Sequence, residues 1–179
     1  RLLLAEFADR VFGEIVTPDA VIEAIDRFAA PLPANCTIVE NPGNGVIAYG
    51  RSSVTMSNCT LARNIGALSV ESESVLTMTN CIVRDNVTAS AGSGGLYVRE
   101  ARATLRNCTF SGNVGDLGGG AISYRSQVTL ESCLFFDNSG GSLLHDLGDA
   151  PVVSFSCLEG GTVWLGEGNL NLDPRVEAW

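Results

Sequence analysis

Ala103-Thr104-Leu105-Arg106-Asn107-Cys108-Thr109-Phe110-Ser111-Gly112-Asn113 returns 25 residues later as Val128-Thr129-Leu130-Glu131-Ser132-Cys133-Leu134-Phe135-Phe136-Asp137-Asn138. Working outward from this pair, six cysteines stand at 36, 59, 81, 108, 133 and 157, in steps of 23, 22, 27, 25 and 24 residues. Other positions recur in the same phase. Asn41, Asn64, Asn86, Asn113 and Asn138 each lie five residues after a cysteine, and Ile38, Leu61, Val83, Phe110 and Phe135 lie two after. Met56, Met78, Leu105 and Leu130 precede by three; Val54, Leu76, Ala103, Val128 and Val152 precede by five. A small polar residue, Asn35, Asn58, Asn80, Asn107, Ser132 or Ser156, stands directly before each cysteine. Self-similarity at a period of 20–50 residues is the mark of a solenoid.

Spacings of two within each unit are strand periodicity, so these apolar positions point inward on strands that flank a bend. A second strand follows a glycine-bearing turn, with inward pairs predicted at Ile47/Tyr49, Leu68/Val70, Leu96/Val98, Ile122/Tyr124 and Leu143/His145. No helical segment fits inside a unit. Stacking the units in register pairs each strand with its equivalent one turn away, about 4.8 Å distant, and builds parallel sheets. The asparagine column has a mechanical role in such a stack: amides bonded to one another and to the backbone satisfy an inward-facing bend. A threonine column, Thr55, Thr77, Thr104 and Thr129, faces outward, as its β-propensity favours. A four-stranded propeller blade would need about 40 residues per repeat, and the pattern of a leucine-rich repeat is absent.

The 179 residues, 45% apolar and 17% charged, are enough for one domain with a sizeable core. A net charge of −9 disfavours sequence-independent nucleic-acid binding, which relies on cationic groups. No stretch of about 20 apolar residues spans a membrane. The chain starts at Arg1 rather than Met, as a mature or excised segment would.

Gly119-Gly120-Ala121-Ile122 and the F-x-x-N segments Phe110–Asn113 and Phe135–Asn138 resemble the repeats of chlamydial polymorphic outer-membrane proteins, and more broadly the bacterial right-handed parallel β-helix repeat proteins. The ending Cys157-Leu158-Glu159-Gly160-Gly161, with Gly166-Glu167-Gly168-Asn169 and Leu172-Asp173-Pro174, is similar to the last coil of large secreted members of that second group. The resemblance covers roughly residues 34–176. It implies an extracytoplasmic location and a group that includes adhesins, autotransporter passengers and polysaccharide-active enzymes. The expected architecture is an all-β, single-stranded right-handed parallel β-helix of about six coils over residues 34–179, behind an α-helical cap at residues 1–33.

The cap rests on Thr17-Pro18-Asp19, which reads as an N-cap followed by a first-turn proline and acid, and on the stripe Val21, Ile22, Ile25 and Phe28. Gly13, Ile15 and Asp19 share the spacing of half a calcium loop, but Ala8, Arg10 and Phe12 stand where carboxylates should, so no metal is expected. A linear cysteine column neither surrounds zinc tetrahedrally nor holds the Cβ separation of a disulfide, so buried free thiols are expected. The sequons at Asn35, Asn58 and Asn107 read as by-products of the repeat. No cofactor and no catalytic residue is assigned. Binding candidates are Tyr97, the loop acids Asp85, Asp116 and Asp137, and His145 with Asp146 and Asp149. The expected function is a non-catalytic module with a structural, adhesive or binding role; the alternative is a polysaccharide-active enzyme or carbohydrate binder that uses those carboxylates. Expected partners are a polysaccharide or another protein surface, or a second copy docked on a strip of small residues: Val46, Ala67, Gly95, Ala121, Ser142, Ala48, Ser69, Tyr97, Ser123 and Leu144.

Overall fold

A computed structural model describes residues 34–88, 92–160 and 163–173 in full, and residues 15–16, 22–25 and 29–31 as strand backbone. Three parallel sheets run the length of the molecule. Sheet A holds β1 (Ile15–Val16), β4 (Thr37–Val39), β7 (Thr60–Ala62), β10 (Ile82–Arg84), β13 (Thr109–Ser111), β16 (Leu134–Phe136) and β19 (Cys157–Leu158). Sheet B holds β2 (Ile22–Ile25), β5 (Val46–Tyr49), β8 (Leu68–Glu71), β11 (Leu96–Arg99), β14 (Ala121–Tyr124) and β17 (Leu143–Asp146). Sheet C holds β3 (Ala29–Pro31), β6 (Ser53–Ser57), β9 (Val75–Thr79), β12 (Arg102–Arg106), β15 (Gln127–Glu131) and β18 (Val152–Ser154). The chain visits B, C and A in turn, which makes an all-β right-handed solenoid with five complete turns from β5 to β19. Strands β2 to β4 extend the same three sheets on the N-terminal side.

Two corners are tight. The C–A corner is two residues long in all five turns, and its first residue (Asn58, Asn80, Asn107, Ser132, Phe155) has positive φ. Asparagine tolerates that left-handed backbone, which explains the polar residue before most cysteines. On the outer surface these amides form a short ladder of their own, Asn80 Nδ2 donating to Asn58 Oδ1 (3.1 Å) and Asn107 Nδ2 to Asn80 Oδ1 (3.2 Å). The A–B corner is longer and uneven, between five and eleven residues. In one such corner a Cβ on Gly120 would run into the carbonyl of Ser142 on the next turn.

The interior is filled by columns in register. Cys36, Cys59, Cys81, Cys108 and Cys133 are all buried, as are Leu61, Val83, Phe110 and Phe135 in sheet A and the Met56–Met78–Leu105–Leu130 column in sheet C. The rings of Phe110 and Phe135 stack at 4.6 Å. Each such side chain contributes about 1.5–3 kcal/mol by leaving water. At the A–B corner the asparagines form a second, buried ladder. Asn64 Nδ2 donates to Asn86 Oδ1 (2.9 Å), Asn86 Nδ2 to Asn113 Oδ1 (2.9 Å) and Asn113 Nδ2 to Asn138 Oδ1 (3.0 Å). Each Oδ1 also accepts from the backbone N–H of the preceding asparagine, and each Nδ2 also reaches a carbonyl one turn back, as from Asn86 to Leu61 (3.1 Å).

Several expectations need correction. No helix occurs among the described residues. Within the stretch assigned to a helical cap, residues 22–25 and 29–31 are strands, Ile22 pairing with Val46 and Ala29 with Ser53. An Ile-Glu-Ala-Ile segment fits both periods, and a parallel sheet edge selects the extended one. Thr17, Pro18, Asp19, Val21 and Phe28, and with them the rest of the cap and of the calcium-like spacing, lie outside the described residues apart from Ile15. On sheet B the inward pair is Val46/Ala48 rather than Ile47/Tyr49, and Ala121/Ser123 rather than Ile122/Tyr124, because a corner of variable length gives no fixed count to the next strand. The outer face of sheet B is therefore not a smooth small-residue strip. It presents Ile47, Ser69, Tyr97, Ile122 and Leu144 in one column and Glu71, Arg99, Tyr124 and Asp146 in the next. The sixth cysteine leaves the ladder: Cys157 pairs with Leu134, so Ser156 takes the buried position beside Cys133, and Val153 replaces Val152 inside.

Two outcomes follow. Asn86→Ala removes the shared acceptor of Asn64 and a donor to Leu61, so urea unfolding should show a loss of about 2–4 kcal/mol. The ladder cysteines are thiols rather than disulfides, and burial leads in pushing Cys36 from the usual 9.0 to about 11, while the interaction between Cys108 and Cys133 raises the former to about 12 and lowers the latter. A thiol reagent at neutral pH should therefore label Cys157 in the native protein and all six cysteines after denaturation. The folded state holds the Cys36 proton more tightly than the unfolded chain, so its contribution is intact below pH 9.0 and is lost as pH rises towards about 11. The unfolding midpoint should fall across that window.

Candidate functional site

Eight residues before successive cysteines stand Arg51, Glu73, Glu100, Arg125 and Asp149, a charge at every turn. This phase places them at the B–C corner, where the backbone leaves sheet B in a left-handed conformation (φ of 66°, 63°, 50° and 48° for the first four) and side chains project outward. One position further inward run Ser52, Ser74 and Ser126, buried; Ser74 Oγ accepts from the N–H of Ser52 and Ser126 Oγ from that of Ala101. Backbone demand inside the corner is thus met by serine, leaving the outer position free for charge.

Along the axis the charges pair. Arg51 grips Glu73 with two nitrogens (Nε–Oε2 2.9 Å), and Arg125 lies 3.7 Å from Glu100. The Arg51 guanidinium holds the Glu73 carboxyl below the ordinary glutamate range. Glu73 and Glu100 sit on adjacent turns, about 4.8 Å apart in the backbone, with the Glu73 N–H bonded to the Glu100 carbonyl. Between these pairs opens a shallow groove of about 510 Å³, lined by Glu73, Glu100, Arg102, Arg125, Gln127 and Asp149 with Ala101, Ser126 and Gly148 at its floor and ends. Gln127 Nε2 donates to Asp149 Oδ2 at 3.5 Å. The groove borders the outer face of sheet B. There the Tyr124 ring lies within cation–π reach of two guanidiniums, Arg125 at 5.2 Å and Arg99 at 6.0 Å. Tyr97 stands on the neighbouring turn, two residues before Arg99, between Ser69 and Ile122.

The residues singled out from the sequence do not converge. Asp85 and Asp137 occupy the same left-handed position of the A–B corner (φ 56° and 53°), exposed and two turns apart with Gly112 between them. Asp85 is tied to its neighbour Arg84. Asp116 is exposed in the loop beside that corner, where a side chain on Gly118 would meet Ile122 and Leu144. Asp146 ends β17 at the far side of sheet B, and Asp149 joins the groove. His145 faces inward, in register with Ser123, while Asp146 next to it faces out, so no acid–base cluster forms. Both His145 Nδ1 and Ser123 Oγ are buried without a hydrogen-bond partner among the described residues. Of the seven candidates, Asp149 alone lines the groove, and Tyr97 stands on the sheet face beside it. Glu73, Glu100, Arg102, Arg125 and Tyr124 were missed, although the charge eight before each cysteine was present in the same repeat.

Among the described residues no group of three or more histidine, cysteine, aspartate or glutamate side chains is arranged to hold a metal, and no helix is long and apolar enough to cross a membrane. Comparison with protein families matches residues 33–168 to the model described as right handed beta helix region. No curated protein and no solved structure matches the chain.

Proposed function

We propose that this chain, which belongs to the right-handed β-helix family, is a non-catalytic extracytoplasmic module that binds polysaccharide along its B–C corner. The observation that carries this reading is the groove itself. Planar donors (Arg102, Arg125, Gln127) and planar acceptors (Glu73, Glu100, Asp149) stand side by side over successive turns beside the tyrosine-bearing face of sheet B. Such groups match the paired hydroxyls of a sugar ring, and an aromatic face matches its C–H face. A regular stack of turns suits a regular polymer. The location outside the cytoplasm rests on the resemblance to secreted and surface repeat proteins.

The carboxylates support binding rather than hydrolysis. A retaining glycosidase needs two carboxyl groups about 5–5.5 Å apart, one of them protonated at working pH. Glu73 and Glu100 are neighbours along the axis, but Arg51 favours the charged form of Glu73, the reverse of what a general acid needs.

A glycan array, with and without calcium, should return polysaccharide-derived binders, and no new reducing ends or unsaturated products should appear on incubation with them. Tyr97→Ala should weaken the best binder about 2- to 13-fold by calorimetry, as expected for one aromatic contact of about 0.5–1.5 kcal/mol. An array without binders, or product release, would overturn the reading.

A further inference from the structure

We infer that the polysaccharide held at the B–C corner is uncharged and lies parallel to the solenoid axis, contacting Arg99 and Arg102. This rests on the polysaccharide-binding reading above and narrows it. All eleven basic side chains are arginines, and seven of them are described. Five of the seven are committed to carboxylates: Arg51, Arg63, Arg84, Arg106 and Arg125. Arg99 and Arg102 have no ion pair among the described residues. They stand three residues apart on β11 and β12, on either side of the same corner. Arg99 has only the Tyr124 ring, and the Arg102 side chain lines the groove exposed. Two guanidiniums without a carboxylate partner among the described residues, where the other five described ones are paired, are donors available to a ligand.

The surroundings decide what kind of ligand. The Arg51–Glu73 and Arg125–Glu100 pairs cancel. Facing the two unpaired arginines are Asp146, Asp149 and Glu71, the last already accepting from Ser69 Oγ at 2.8 Å. The corner therefore has no surplus of positive charge, and the whole chain carries −9. A uronate or sulfate polymer would meet carboxylates locally and repulsion at longer range. An uncharged sugar chain meets neither, and uses both the forked donors and the carboxylate acceptors. Direction follows from the repeat. Glu73, Glu100, Arg125 and Asp149 occupy four successive turns, about 14 Å along the axis. A sugar ring is about as long as one turn is high, so the line accommodates about three sugars.

Arg102→Ala is the decisive variant, because it removes a side chain with no ion pair or hydrogen bond of its own and should leave the thermal midpoint unchanged. Binding of that variant, of Arg99→Ala and of the parent chain is compared on an array that holds neutral and uronate- or sulfate-bearing oligosaccharides of two to six units. The expected result is that neutral chains of three or more units bind, that binding changes little with salt, and that Arg102→Ala loses at least tenfold. Hits confined to uronate or sulfated chains and weakened by salt would overturn the inference while leaving polysaccharide binding in place. So would neutral binding that is indifferent to both arginine substitutions. An array with no hits for the parent chain would overturn the polysaccharide reading and this inference with it.

Discussion

The stack depends on what happens to backbone groups at the one corner where the chain turns inward without a regular ladder. At the A–B corner the Oδ1 of each asparagine accepts both from the side chain and from the backbone of the asparagine before it, and each Nδ2 also reaches a carbonyl one turn back. A buried amide that makes all of these bonds is stabilising; the same group half-satisfied would be worse than an apolar substitute. The ladder therefore holds the turns to one register, and register is what converts the repeating sequence into continuous interior columns. The thiol column, the stacked phenylalanines and the serines of the B–C corner all inherit their alignment from it.

That alignment also explains how the candidate site arises without any local motif. No single turn contains a binding site. One turn contributes a glutamate, the next another, the next an arginine, and the groove exists because equivalent positions are superposed about 4.8 Å apart. The repeat brings Arg102 and Gln127, neighbours in register on β12 and β15, beside Glu73 and Asp149 from the turns on either side. The chemistry is mixed, donors beside acceptors, and the aromatic face of sheet B adjoins it.

Much of this was legible in the sequence, and the failures have physical causes. Positions counted from the cysteines succeed wherever the path from the cysteine is short and constant, as it is across sheet C, the two-residue C–A corner and sheet A. Beyond the A–B corner they hold for Leu68/Val70, Leu96/Val98 and Leu143/His145 but fail for the other two pairs, so Ile47 and Ile122 were assigned inward when both face out. Ile122 is nonetheless buried, because the neighbouring loop folds over it. Cys157 misled for the opposite reason: its spacing suits the series, but the strand that leads to it is displaced by one residue, and a one-residue slip exchanges inside for outside. The charged column at the B–C corner was as periodic as the asparagines. Its meaning required knowing that this position faces the solvent, which alternation alone does not supply when the preceding strand is out of phase.

The unequal corners carry a consequence for how such a chain changes over time. The C–A corner is two residues long in every turn, and lengthening it would displace the cysteine column. The A–B corner already varies between five and eleven residues while the strands on either side remain paired. Extra residues there loop outward at modest entropic cost. Insertions and grafted peptides are therefore accommodated best along that ridge of the molecule, which can diversify from turn to turn while the paired strands on either side of it keep their spacing.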